Sequence, residues 1–163
     1  MTGDTPNSDR TTQSRVGDWP EQTPDQQIVR GMVTYTPYAK ALGMKYVSSS
    51  PGHGEIFLPW REDLVGQGGS DILAPGVLTA LIDHVCGLAI MATFGFDARP
   101  ATLDLRIDHM RPAAPRGSIT AAANCYKSTR NIAFLRAEAW DISRDDLVAT
   151  AQAAFILNRK EQA

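Results

Sequence analysis

LAPGVLTALIDHVCGLAIM, Leu73 to Met91, is a run of apolar residues with one acid, Asp83, in its middle. Pro75-Gly76 sits where a helix accepts proline, in the first turn, so the run reads as one long helix. It is apolar nearly all round, which marks the buried helix of a core rather than a surface helix. Asp83 and His84 at its centre argue against a membrane span. A carboxylate in such surroundings is costly unless it is paired or used, so Asp83 is the residue that function has to explain.

Upstream, Arg61 to Leu73 holds Gly66, Gly68 and Gly69 and reads as a loop that delivers the chain to the helix start. Before it, MKYVSSS and GEIFLPW, joined by Pro51-Gly52-His53-Gly54, read as a hairpin. Thr36-Pro37 opens a short helical piece, Tyr38 to Leu42, stopped by Gly43. Thr23-Pro24-Asp25-Gln26 announces another helix through about Val33. Residues Met1 to Glu21 are polar with almost nothing to bury and read as a disordered arm. The organisation expected is an arm over 1–22 and a single domain over 23–163.

Downstream, ATLDLRIDHMR, SITAAANCYKS, NIAFLRAEAWDI and LVATAQAAFILN are four strand-like runs bounded by turn material. Leu103, Leu105 and Ile107 alternate with Thr102, Asp104, Arg106 and Asp108, and the last run alternates from Leu147 to Leu157. The connections Pro112 to Gly117, Thr129-Arg130-Asn131 and Ser143-Arg144-Asp145 are short enough for hairpins and too short for crossover helices. An antiparallel sheet follows, and parallel α/β is disfavoured. Ala121, Ala123, Ala137, Ala139, Ala149, Ala151 and Ala153 let that sheet approach a helix closely. The fold expected is α+β, a strongly curved antiparallel sheet of five to six strands wrapped around one long central helix.

The chain's 163 residues and 43% hydrophobic content suit one core, and its net charge of -2 gives no broad basic field for nucleic acid. Cys86 and Cys125 read as reduced core cysteines, which with the polar N-terminus points to a soluble, cytoplasmic protein with neither membrane nor nucleic acid as partner. His53, His84 and His109 are isolated, with no metal-ligand spacing, and no phosphate-cradling glycine motif is present.

From about Tyr38 to Leu157 the chain resembles the hotdog-fold acyl-CoA thioesterases of the phenylacetate-pathway (PaaI-like) type. In that family His-Gly-Gly opens the central helix and an acid follows nine positions after the His; here Ala74-Pro75-Gly76 occupies the tripeptide and Asp83 stands nine after Ala74. The flanking LIDHVCGLA and RPATLDLRIDHMRPA look like the family's helix and next strand. The resemblance implies an acyl-CoA thioesterase with Asp83 as nucleophile or general base, between which the sequence does not choose. It implies no cofactor beyond the coenzyme A of the substrate. Thr102 matches a family Ser or Thr that assists the carboxylate, and Gln67 lies one step from the position of a polar amide.

The free N–H groups of a helix start suit an oxyanion. The family uses the amide at the second tripeptide position, but Pro75 has none, so Gly76 N–H is the candidate donor. Gly76 and Asp83 are seven residues apart, roughly 10 Å at 1.5 Å per residue, too far to act on one carbonyl carbon. The mechanism therefore requires a homodimer whose sites combine both chains, and two dimers can pair into a tetramer. Ala74, Pro75 and Thr79 fall on the substrate side of the helix start. Arg111, Arg116 and Arg130, with Lys127, read as a cluster at the hairpin ends able to clamp the coenzyme A phosphates. Three alternatives stand beside this reading, the weakest a hydratase or dehydratase of the same fold, for which no spaced Asp and His pair on the hydratase pattern is present. Asp83 and His84 can serve a neighbouring loop or subunit interface by hydrogen bonding, and loss of the amide at Pro75 suits a hotdog protein that binds acyl-CoA or another apolar ligand without hydrolysing it.

Overall fold

The computed structural model describes residues 26–158. The expected arm and the Thr23-Pro24-Asp25 helix start lie outside the described residues. Helices α1 (Gln26–Tyr35) and α2 (Pro37–Leu42) come first, and Gly43 ends α2 in the left-handed region, φ 76. Strands β1 (Lys45–Ser50) and β2 (His53–Leu58) form the expected hairpin, with Gly52 at φ 77 in its tight turn. The central helix α3 is Pro75–Phe94, 20 residues, and four strands follow: β3 (Pro100–His109), β4 (Ile119–Ser128), β5 (Ile132–Trp140) and β6 (Ala149–Leu157).

All six strands join one antiparallel sheet in the order β1-β2-β4-β5-β6-β3, and α3 packs against the first five strands of the chain. The seven alanines are buried, and α3 adds Leu81, Ile82, Val85, Leu88 and Ile90 to the core. At Gly54 an added Cβ would come within 3.0 Å of the Ala89 backbone nitrogen, so strand and helix touch there only because the residue is glycine. This is the hotdog architecture.

Two expectations fail. The connection over 112–117 is not a hairpin: β3 pairs with β6 at the sheet edge, while β4 lies between β2 and β5. Alternation encodes which face a residue takes, not which strand is its neighbour, and the place beside β3 is filled by β6. Leu103 also leaves the inner face. A β-bulge between Thr102 and Asp104 breaks the alternation, and Leu103 is 55% exposed while Leu105 and Ile107 are half-buried.

Candidate active site

Asp83 lies half-buried midway along α3. Thr102 Oγ1 donates to its Oδ1 at 2.7 Å, and among the described residues Oδ2 has no hydrogen-bond partner. The bulge makes this contact possible. Thr102 pairs with Phe155, a buried residue, so it faces the helix, whereas unbroken alternation from Leu105 would turn it outward. Bulges re-aim side chains in this way beside functional sites.

Along α3 the small and polar stripe containing Asp83 divides in two. Gly76 and Thr79 are exposed and Ala80 is half-buried, but Gly87 is buried, with Met32 of α1 so close that an added Cβ would stand 2.9 Å from its Cε. His84 points to that covered side: it hydrogen-bonds to the Met32 carbonyl, and its Nε2 is buried without a partner among the described residues. Burial holds its pKa below the ordinary histidine value, against the smaller opposing effects of that bond and of Asp83. His84 is therefore a neutral packing residue beneath α1, not half of a dyad. Neither thiol is a nucleophile: burial pushes Cys86 well above the usual range and Cys125 up to about 11.

Ala74 is the N-cap of α3 and Pro75 its first residue, so the helix start is unshifted. Val77 N–H reaches back to the Ala74 carbonyl, and Thr79 Oγ1 donates to the Pro75 carbonyl at 3.2 Å. The Gly76 N–H is left without an acceptor among the described residues, and a Cβ added at Gly76 would meet nothing within 4 Å. An open, amide-bearing helix start remains despite the proline.

A cavity of about 700 Å³ opens beside this start, with Gln67, Pro75, Leu78, His109, Ile119 and Val148 in its wall. Gln67 thus shares a wall with Pro75. The loop that carries it is latched to residues 110–118: Asp71 accepts at its carbonyl from Trp60 Nε1 (2.8 Å) and Arg116 N (2.8 Å), and its carboxylate takes Arg116 Nε at 2.9 Å. Asp71 holds φ 56 and Arg116 φ 57, in the left-handed region that few side chains adopt, which shows how firmly the two segments are fitted together.

The four expected cations do not cluster. Arg111 and Arg116 precede β4 and Lys127 and Arg130 lie at or beyond its far end, so eight strand residues, Ile119 to Tyr126, about 26 Å, separate the two pairs. The connections over 112–117 and 129–131 lie at opposite ends of β4, and this keeps the cations apart. Arg111 is committed to Asp141, with bonds of 2.6 and 3.0 Å, and Arg116 stacks over Trp60 at 5.3 Å. His109 in the cavity wall is one of the isolated histidines, with no site role read from the sequence, and Asp141 carries no sequence signal at all. Nothing local marks an ion pair between residues 30 positions apart.

The family model described as the thioesterase superfamily matches residues 71–148, the segment from the loop before α3 to the start of β6. A conserved protein of Pseudomonas aeruginosa is 30% identical, with a TM-score of 0.71 over 78% of this chain and 98% of its own. A thioesterase family protein from Silicibacter pomeroyi, at 23% identity, shares the fold with a TM-score of 0.73 over 83% of this chain and 98% of its own. A mutant of the phenylacetic acid degradation protein PaaI from Thermus thermophilus, at 24% identity, does so with a TM-score of 0.65 over 75% and 99%. No curated protein sequence matches. The family model falls on the segment that carries Asp83, Thr102 and the open helix start, and with the near-complete span of the Pseudomonas relative the chain belongs to the thioesterase superfamily and carries its hotdog fold.

Proposed function

We propose that the protein is an acyl-CoA thioesterase that works as a homodimer, with Asp83 of one chain and the Gly76 N–H of the other at each site. The observation that carries this reading is the Thr102–Asp83 bond. It fixes a carboxylate on the open side of an apolar helix and leaves one oxygen for chemistry. That oxygen either attacks the thioester carbon or takes a proton from the water that does. In the first route an acyl–Asp83 anhydride forms as the carbon–sulfur bond breaks, the thiolate takes a proton from solvent, and water then cleaves the anhydride. In the second the proton taken from water passes to the departing thiolate, and in both the developing oxyanion rests on the Gly76 amide.

Helix geometry supports the dimer. Gly76 and Asp83 stay roughly 10 Å apart on a continuous α-helix. Among the described residues β3 ends the sheet with an open hydrogen-bonding edge and exposed residues from Ala101 through Asp104. An edge of this kind pairs readily with its own copy about a two-fold, and the Thr102–Asp83 bond makes α3 follow β3 towards the partner's helix.

A panel of aryl- and acyl-CoA esters assayed for free thiol, wild type beside Asp83→Asn, tests the reading. Turnover that falls by about 10²–10⁴ in the variant is expected; no turnover on any ester favours the binding protein that Pro75 suggests.

A further inference from the structure

The cavity at the start of α3 has a floor and a rim of different chemistry. Leu78, Ile119 and Val148 form a buried apolar floor, and the exposed rim is Gln67, Pro75 and His109. Among the described residues the one Lys or Arg in the wall is Arg111, and its guanidinium is turned to its own partners. Nη1 donates to the Pro112 carbonyl (3.0 Å) and Asp141 Oδ2 (3.0 Å). Nη2 donates to Asp141 Oδ1 (2.6 Å) and the Asp146 carbonyl (2.7 Å), and Nε lies 3.0 Å from Asp146 Oδ2. The Nε N–H makes no hydrogen bond but is buried, and the other four donors of the guanidinium are taken, so none of the five is open to a ligand. Two carboxylates share this one cation, and the local charge is net negative.

We infer that this cavity takes the acyl group of the substrate, that the group is uncharged and apolar at its far end, and that Leu78, Ile119 and Val148 set its length. The inference rests on the thioesterase reading for one point, the thioester carbonyl at Gly76 N–H. Pro75, its neighbour, is on the rim, so the acyl substituent descends to the floor. A phosphate or a terminal carboxylate brought to that floor would shed water with no free cation to meet it. The nucleotide of coenzyme A therefore stays outside. Methylene or ring carbons lose nothing by desolvation there, and the volume lies within the range of small-molecule pockets.

Binding is measured by calorimetry with non-hydrolysable 2-oxoalkyl-CoA thioethers bearing short, medium and long tails, and one medium tail ending in a carboxylate. Wild-type affinity rises with tail length, and the carboxylate analogue binds at least about tenfold more weakly than its uncharged counterpart. Val148→Phe fills the floor and cancels the gain for the long tail while sparing the short one. If that variant does not fold, Leu78→Ala decides, by shifting the preference towards longer tails. Equal affinity for the charged and uncharged tails, or a length profile that neither folded variant alters, overturns the inference. These binding results without turnover of the matching thioesters sink the thioesterase reading instead and leave the acyl pocket standing.

Discussion

Thr102 acts on the chemistry only through Asp83, so its removal has a bounded effect. Thr102→Ala deletes one hydrogen bond to a charged group, worth about 1.5–3 kcal/mol. On the account given, kcat/KM falls roughly 10- to 100-fold, with KM little changed, and Thr102→Ser restores most of it. A steady-state comparison of the three proteins checks this. Pro75 is bounded in a different way. Gly76 N–H already stands open at an unshifted helix start, so Pro75→Gly should alter kcat by less than about tenfold. A rise of about 10²–10³ would show instead that the proline disables the oxyanion site.

Among the elements, residues 110–113 form one side of the cavity, across from the segment over 66–78, and the Arg111–Asp141 pair holds them to the end of β5. Asp141 has a side chain only 1% exposed and takes further N–H groups from Ala114 and Ile142. The Arg111 guanidinium holds the Asp141 carboxyl well below the usual carboxylate range, with those backbone bonds adding to the effect against the opposing cost of burial. A carboxyl lowered on folding stabilises the fold above its unfolded pKa, about 3.9, and loses that contribution as pH falls below it. Asp141→Asn should therefore lower the thermal midpoint at neutral pH and flatten the acid limb of the midpoint–pH curve, measured by calorimetric scans from neutral to acid pH.

The same elements show what a sequence carries. Every strand was legible, because period-two alternation and alanine-rich faces write burial directly into the residues. The crossing of 110–118 was not, since pairing partners leave no local mark. The bulge at Leu103 was hidden by an unbroken polar–apolar rhythm from Thr102 to Ile107. Of the candidate site, Asp83 stood out by its cost in an apolar helix and Thr102 by family resemblance. The cavity was invisible, because its wall comes from four separated segments that only the fold brings together.

At the scale of the molecule, the proposed site is incomplete in one chain. The open edge of β3 and the exposed Leu103 beside Thr102 supply the surface for a second copy. Sedimentation should give a dimer or a dimer of dimers, and Leu103→Asp should weaken both association and thiol release. The most direct test of the shared site mixes two inactive variants. Asp83→Asn keeps its Gly76 amide, and Gly76→Pro keeps Asp83 while losing the donor at a helix position that tolerates proline. After equal mixing and subunit exchange, about half the dimers are mixed and each regains one of two sites, so about a quarter of wild-type activity should return. Activity that stays at the level of the separate variants, in a mixture shown to have exchanged subunits, would contradict a site built from two chains.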